Sequence, residues 1–181
     1  HRADRLDIIQ LVVDNSACVF KSSNLSSHGE NALLWRALNH RNYKCAAWLI
    51  ARGANVNELD ANKCSILMQN VANGSIEGAK LLLQAGADVN LRNNLGRTAL
   101  FAASGRRYGN AESVELLLNY GADIDARDLQ LQTSLMHASK EGNLASVKLL
   151  LLTGAHSNAK DSNGENAFFY ALSRCTCDES V

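Results

Sequence analysis

The chain has 181 residues, enough for one domain with a substantial core, and 46% of them are apolar. The 18 Lys and Arg residues balance the 18 Asp and Glu residues, so the formal net charge is zero. This balance gives no support for nucleic acid or an acidic membrane surface as the partner, because both attract a strong basic excess.

The first residues and the cysteines indicate the setting of the chain. Residues 1–5 contain neither a starting Met nor the apolar stretch of a signal peptide, so we expect a fragment of a longer protein. A run of about 18 apolar residues, which a membrane span needs, is absent. The five cysteines are odd in number and irregularly spaced, which argues against a disulfide framework and a zinc site. Reduced thiols predict a cytoplasmic or nuclear protein.

A repeated spacing organises the chain. The pair Gly-Ala occurs at residues 53–54, 86–87, 121–122 and 154–155, in steps of 33, 35 and 33 residues. A second series of apolar residues keeps the same register, at Leu34, Leu67, Leu100, Leu135 and Phe168. Two landmarks in one register predict equivalent units. Residues 6–17, before the first landmark, have an apolar side that predicts the second helix of a degenerate unit.

Residues 93–127 illustrate the predicted fold of one unit. Residues 99–103 begin a short helix, with Thr98 as its capping residue. Residues 112–118 predict a second helix with one apolar stripe. Gly121 ends it, because Gly adopts the left-handed conformation without steric cost. Neither helix can bury its stripe alone, so neighbouring units are expected to stack.

The segments Leu-Leu-Leu-Gln-Ala-Gly-Ala-Asp-Val-Asn (81–90) and Asp-Val-Asn-Leu-Arg-Asn-Asn-Leu-Gly-Arg-Thr-Ala-Leu (88–100) resemble the ankyrin repeat. The resemblance implies an all-α solenoid of helix-turn-helix units joined by β-hairpin loops. It implies a single ankyrin-repeat domain over 1–181. The parts of that domain are a degenerate partial repeat at 1–26, full repeats at 27–59, 60–92, 93–127 and 128–160, and a partial repeat at 161–181.

The sequence departs from the family pattern in two ways. The family favours Pro at the start of the first helix, whereas this chain contains no proline. The turn glycine is kept at Gly96 and Gly164 but replaced by Lys63 and Leu131. The shape of the hairpins in the second and fourth full repeats is therefore left open.

The resemblance further implies a protein-protein interaction module that binds a partner protein or peptide on a concave face of hairpins and first helices. Carried over position by position, the candidate partner-binding residues are Trp35, Arg36, His40, Gln69, Arg92, Arg97, Arg106, Arg127, His137, Lys160 and Tyr170. Hairpin asparagines of this family are also substrates of a cytoplasmic asparaginyl hydroxylase. By resemblance, Asn90 is the first candidate for that modification and Asn57 the second.

One group of candidates is basic. Arg92, Arg127 and Lys160 occupy the same place in successive hairpins, so stacking predicts a basic ladder that favours an acidic peptide. In the alternative interpretation, each cation pairs with the polar or acidic residue that follows it in the chain. Exposed pairs of that kind add little stability.

Two further candidates are an apolar series and an insertion. A bulky residue follows the key apolar position of each first helix, at Trp35, Met68, Phe101, Met136 and Phe169. These side chains either pack between repeats or form a partly exposed stripe that marks a partner site. The insertion with Arg106, Arg107 and Tyr108 is either a contact or a tolerated loop.

Catalytic chemistry has little support in the sequence. The five His residues form no His-Glu-x-x-His motif, and no glycine-rich phosphate loop is present. We therefore expect no enzyme activity, metal or cofactor. The alternative function is a regulatory ankyrin segment of a larger enzyme or channel, which packs on its own catalytic part or senses a small ligand. The last segment, 168–172, is too apolar for a capping helix, so further repeats, another domain or another chain are expected there.

Overall fold

The computed structural model describes residues 28–105 and 111–175. Contacts divide the chain into two compact parts, residues 1–55 and 56–181, which we describe separately as the N-terminal and C-terminal parts. The predicted helix at 6–17 and the candidate residue Arg106 lie outside the described residues.

The N-terminal part contains two described helices, α1 (His28–Asn39) and α2 (Tyr43–Ala51), which pack against each other. Leu34 and Ala46 are fully buried between them. The Asn42 side chain accepts a hydrogen bond from the backbone N of Cys45 (3.2 Å), which caps α2. Arg41 has a φ of 55° and makes the turn between the helices.

The C-terminal part repeats a helix pair along the chain. Its described helices are α3 (Ile66–Ala72), α4 (Ile76–Gln84), α5 (Ala99–Ala103), α6 (Ala111–Asn119), α7 (Ser134–Glu141), α8 (Leu144–Leu152) and α9 (Ala167–Cys175). The first helices α3, α5, α7 and α9 pack one on the next, and the second helices α4, α6 and α8 do the same behind them. The predicted stacking of equivalent helix pairs is confirmed.

The core consists of the two apolar rows that the periodicity predicts. In the first helices, Leu67, Leu100 and Leu135 are at most 2% exposed. In the second helices, Leu82, Leu117 and Leu150 are fully buried. Each buried leucine stabilises the fold by about 1.5–3 kcal/mol, and each is covered partly by a neighbouring repeat.

Polar side chains mark the starts of the first helices, where the family pattern would have proline one residue further on. Thr98 begins α5 as predicted, but its side chain makes no capping hydrogen bond. The equivalent Ser65 and Thr133 do, because their hydroxyl oxygens accept from the backbone N of Met68 (3.2 Å) and Met136 (3.4 Å). Side-chain caps therefore define the starts of α3 and α7.

Each hairpin turns around one acidic or amide side chain. Oδ1 of Asp60 accepts from the backbone N atoms of Asn62 and Cys64, both at 2.8 Å. The same arrangement, with bonds of 2.9–3.0 Å, recurs at Asn93, Asp128 and Asp161. Two hydrogen bonds to one oxygen hold the turn closed in the same way in each repeat.

The turns without glycine adopt the same conformation as the turns with it. Lys63 and Leu131 have φ values of 57° and 60°, against 74° at Gly96 and 80° at Gly164. The question that the sequence left open is answered, because all four turns keep the left-handed residue. A side chain in that conformation costs about 1–2 kcal/mol.

Candidate functional site

The hairpin tips of the C-terminal part are joined by backbone hydrogen bonds. Each tip donates one N–H to a carbonyl of the tip before it, at 2.9 Å in every case. The bonds are Asn94 to Asn62, Leu129 to Leu95, and Ser162 to Gln130. The four tips therefore form one row, which we call the hairpin row, with fixed spacing between neighbouring tips.

The predicted basic ladder lies along this hairpin row. A terminal guanidinium nitrogen of Arg92 donates to the carbonyl oxygen of Arg127, and Nε of Arg92 donates to that of Gly96 (3.0 Å). Nη1 of Arg127 donates in turn to the carbonyl oxygen of Lys160 (3.4 Å). Each arginine thus binds the backbone at the equivalent position of the next repeat, and its position is fixed by that bond.

The carboxylates expected to pair with the ladder have other donors. Oδ2 of Asp128 accepts from Nε of Arg97 at 3.2 Å. Oδ2 of Asp161 accepts from the hydroxyl of Tyr170 at 2.7 Å. Because their acceptors on the ladder are neutral carbonyls, these bonds do not compensate the charges of Arg92 and Arg127, which lie on an exposed surface.

Two predicted site residues support the hairpins from behind. Gln69 donates from Nε2 to Oδ2 of Asp60 (3.1 Å), and Tyr170, at the equivalent position, donates to Asp161. Tyr170 is 9% exposed, and its hydroxyl also accepts from Nε2 of Gln132 (2.6 Å). Burial and the bond to Asp161 raise the pKa of Tyr170 to about 12.

The same position in the fourth repeat, His137, is used differently. Its ring stacks on Phe101, with ring centroids 4.4 Å apart, and the Arg97 guanidinium lies over Phe101 at 4.5 Å from the ring centroid. Burial lowers the pKa of His137, and the carboxylate of Glu141 offsets part of that effect. His137 therefore contributes to packing between the third and fourth repeats, through its contact with Phe101.

The members of the proposed apolar stripe differ in their exposure. Met68, Phe101 and Met136 are at most 5% exposed and pack between repeats. Trp35 is half-buried, and Phe169 is exposed. The packing interpretation therefore holds for the three interior positions.

Exposed leucines lie at the hairpin tips; the family resemblance makes Leu95 and Leu129 hairpin-side candidates, and Leu131 was not among those candidates. Leu95 is 53% and Leu129 is 73% exposed, and Leu131 is exposed as well. Leu95 stands out in the sequence, because the same position is Asn or Gln in the other three hairpins.

Comparison with known proteins decides the family. The family model described as ankyrin repeats (3 copies) matches residues 37–128, 67–161 and 109–180. The chain belongs to the ankyrin-repeat family. Ankyrin repeats are generally protein-protein interaction modules.

Two relatives share part of this ankyrin array. A protein of Treponema pallidum (strain Nichols), named as ankyrin repeat-containing, is 38% identical over 103 residues, which are 56% of this chain and 33% of that protein. The chicken (Gallus gallus) Arf-GAP with coiled-coil, ANK repeat and PH domain-containing protein 2 is 40% identical over 73 residues, which are 39% of this chain and 9% of that protein. The ankyrin match thus spans a third or less of either relative.

The N-terminal ankyrin helices carry a separate group of candidates. Arg36 and His40 are exposed and line a cavity of about 310 Å³ on α1 and α2. The other lining residues are Leu33, Ala37, Asn42, Cys45 and Leu49. Burial raises the pKa of the Cys45 thiol, which keeps it protonated and a poor nucleophile.

The last ankyrin helix, α9, exposes an apolar face. Phe168, Phe169 and Leu172 are 65%, 53% and 46% exposed. In the interior repeats the positions equivalent to the two phenylalanines are buried by the following repeat. This face is a second candidate interaction surface.

The candidate hydroxylation sites lie between repeats. Oδ1 of Asn90 accepts from the backbone N of Asp123 (2.9 Å), and its Nδ2 donates to the carbonyl oxygen of Gly121 (3.1 Å). Oδ1 of Asn57 accepts from the backbone N of Asp88 (2.7 Å). Hydroxylation of either residue stays a prediction, which mass spectrometry of protein from its native cell would test.

The described residues contain little that would support metal chemistry. Within residues 28–105 and 111–175, His, Cys, Asp and Glu form no group of three or more that could hold a metal ion. Cys45 and Cys64 are free thiols. Among the same residues, every helix is too short or too polar to cross a bilayer.

Proposed function

We propose that this chain is a protein-protein interaction module that binds a partner protein or peptide along the hairpin row and the first helices behind it. The observation that carries the proposal is the bonding of Arg92 to the backbone at Arg127, and of Arg127 to the backbone at Lys160. These bonds position the cations before a partner arrives. Preorganised contacts lose less conformational entropy on binding.

The candidate residues divide into contacts and supports. Arg92, Arg127 and Lys160 are exposed on the hairpin row and are the proposed contacts. Gln69, His137 and Tyr170 hold the hairpins and first helices in place. Arg97 is proposed both as a support, through its bond to Asp128, and as a contact with the partner. Arg36 and His40 line a separate cavity in the N-terminal part, where Trp35 is half-buried.

The proposed partner is an acidic protein or peptide inside the cell. Guanidinium groups bind carboxylates with charge-assisted hydrogen bonds, and Arg92 and Arg127 face solvent. The free thiols of Cys45 and Cys64 fit a reducing compartment, cytoplasm or nucleus. The proposed activity is binding without catalysis, in keeping with the family.

Affinity capture with matched variants tests this function. The whole chain would be used as bait in an extract of its native cell, as wild type, as an Arg92→Glu/Arg127→Glu variant, and as a Lys80→Glu/Lys148→Glu control on the second helices. We expect a set of proteins captured by the wild type and the control and lost from the hairpin variant. Equal capture by all three, with matching circular dichroism, would remove the hairpin row from consideration.

A second candidate function is regulation of a larger enzyme or channel by packing on its catalytic part. The apolar face of α9, with Phe168 and Phe169 exposed, favours it because such a face is normally covered. Cross-linking mass spectrometry of the full-length gene product tests it. Cross-links from Lys148 or Lys160 to another part of the same polypeptide are expected, and cross-links to other polypeptides alone would contradict it.

A further inference from the structure

The two middle hairpins differ from the outer two in their exposed side chains. Their tips carry Leu95, Leu129 and Leu131, of which Leu129 is the most exposed at 73%. The corresponding positions of the outer hairpins are small, polar or charged. Three exposed leucines on adjacent tips form an apolar patch, which single scattered leucines would not.

The same two hairpins also differ in charge. Residues 92–97 and 127–132 contain three arginines and one aspartate, which gives a formal charge of +2. The hairpin at 59–64 has one aspartate and one lysine and is neutral. The hairpin at 160–165 has one lysine against two acidic residues and has a charge of −1. Positive charge is therefore concentrated where the leucines are, in a chain whose net charge is zero.

The backbone holds these groups side by side. The N–H of Leu129 donates to the carbonyl oxygen of Leu95 at 2.9 Å. A Cβ atom added to Gly96 would lie 3.0 Å from the backbone N of Leu129, so the two hairpins approach as closely as glycine permits. The leucines thus lie on adjacent hairpins. The same two hairpins begin with Arg92 and Arg127, which are hydrogen-bonded to each other.

From these observations we infer that the tips of the two middle hairpins are a docking site for an acidic peptide with a large apolar side chain. Leu95, Leu129 and Leu131 take the apolar side chain, and Arg92 and Arg127 pair with flanking carboxylates. This inference rests on the proposed function and narrows the binding site to five residues and the partner to an acidic peptide. The acidic peptide is the favoured partner because its charge is complementary to that of the two arginines.

Two other occupants fit the surface less well. An acidic membrane attracts a cluster of roughly four to eight basic residues, whereas this patch offers two exposed arginines beside a hairpin of charge −1. A second copy of the chain would place Arg92 and Arg127 against like charges if the same patches met. Both remain measurable outcomes of the test.

The test uses the whole chain as bait for a random peptide library displayed on phage. The best selected peptide is then synthesised with a fluorescent label and titrated by anisotropy. The apolar variant is Leu95→Ser/Leu129→Ser, and its control is Leu152→Ser, an exposed leucine on α8. The charge variant is Arg92→Gln/Arg127→Gln, which keeps a hydrogen-bond donor, and its control is Lys148→Gln.

We expect selected peptides rich in Asp, Glu and large apolar residues. Binding should weaken about tenfold or more in the apolar variant and about fivefold in the charge variant, with less than about twofold change in either control. Salt should weaken binding to the wild type more than to the charge variant.

Other outcomes overturn the inference in distinguishable ways. Peptides whose binding the charge variant weakens and the apolar variant does not would remove the leucines and leave the proposed function standing. Peptides that bind all variants equally would count against the leucines and against the hairpin row alike. If the bait enriches no peptide over empty beads, both the inference and the proposed function fail. Binding to vesicles of phosphatidylserine without peptide binding would replace the peptide by a membrane. Concentration-dependent dimerisation that the apolar variant abolishes would replace it by a second copy.

Discussion

The fourth repeat and the partial fifth repeat place similar residues at the same positions with opposite results. Leu135 and Met136 in α7 are at most 2% exposed, whereas Phe168 and Phe169 in α9 are mostly exposed. The helices occupy equivalent places, and α7 packs on α5 on one side and on α9 on the other. At these positions burial therefore differs although the residues are all hydrophobic, and a further repeat packs on Leu135 and Met136.

The largest expected effect comes from truncating the equivalent core positions. Leu135→Ala should lower the free energy of unfolding by about 2–5 kcal/mol, because it leaves a cavity between repeats. Phe168→Ala removes more atoms but should change stability by less than about 0.5 kcal/mol, because that ring is solvated. Urea unfolding followed by circular dichroism measures both. Equal losses would mean that another surface covers Phe168 in solution.

The next effect concerns the hydroxyl that ties the fifth repeat to the fourth. Tyr170→Phe removes the donor to Asp161 and the acceptor of Gln132, and should destabilise the chain by about 1.5 kcal/mol. Tyr120→Phe, at an exposed position, is the matched control and should change stability by less than about 0.5 kcal/mol. Chemical denaturation of the two variants side by side gives the comparison. Similar values would show that the Tyr170 hydroxyl bonds contribute nothing net.

A smaller effect on stability distinguishes the turn that contains Leu131 from the turn that contains Gly164. Leu131→Gly should stabilise the fourth repeat by about 0.5–1 kcal/mol, because it relieves the left-handed side chain but adds freedom to the unfolded chain. Gly164→Ala in the fifth repeat should have the opposite sign and cost about 1 kcal/mol. Thermal unfolding measures both, and Lys63→Gly repeats the first change in another hairpin. A loss of stability in both glycine variants would contradict the account of the turns.

The smallest effect is the dependence of stability on acid. Burial opposes the charge of Asp161, but hydrogen bonds from Tyr170 and the turn amides outweigh it and hold the pKa of that carboxyl below its usual value of 3.8. The folded state therefore binds this proton less readily, so the contribution is present above pH 3.8 and is lost as the pH falls through the folded pKa.

Asp161→Asn should reduce the loss of stability that the wild type shows as the pH falls. Its turn should persist, because Asn93 accepts the same two amide hydrogen bonds in the third repeat. Melting temperatures of wild type and variant, compared between about pH 5 and pH 2, test the difference. Parallel curves would exclude Asp161 as a source of the pH dependence.

The sequence predicted the parts of the fold that repeat. The register of Leu67, Leu100 and Leu135 predicted which helix faces are buried, and Gly121 marked a helix end that the structure confirms. These features depend on local periodicity and on stacking of like units. The repeated register therefore carries enough information to predict them.

The candidate site was less predictable, because its contacts join different repeats. Tyr170 looked like a surface residue, but Gln132 and Asp161 draw its hydroxyl inward. One interpretation paired each cation of the ladder with the residue that follows it, whereas Arg92 binds a carbonyl 35 residues further on. Contacts of this range depend on the spacing between stacked hairpins, which a one-dimensional pattern does not contain.

The bond from Arg92 to Arg127 spans the repeat at 93–127, which is two residues longer than its neighbours, and the sequence places the extra residues in the loop between its two helices. Length changes in that loop consequently leave tip-to-tip alignment unaltered, as would deletion of one entire module. Losing a single amino acid from a turn would instead displace the cation of that hairpin from its acceptor in the next one. Such an array can evolve by gaining or losing whole repeats, whereas each turn has to keep its length.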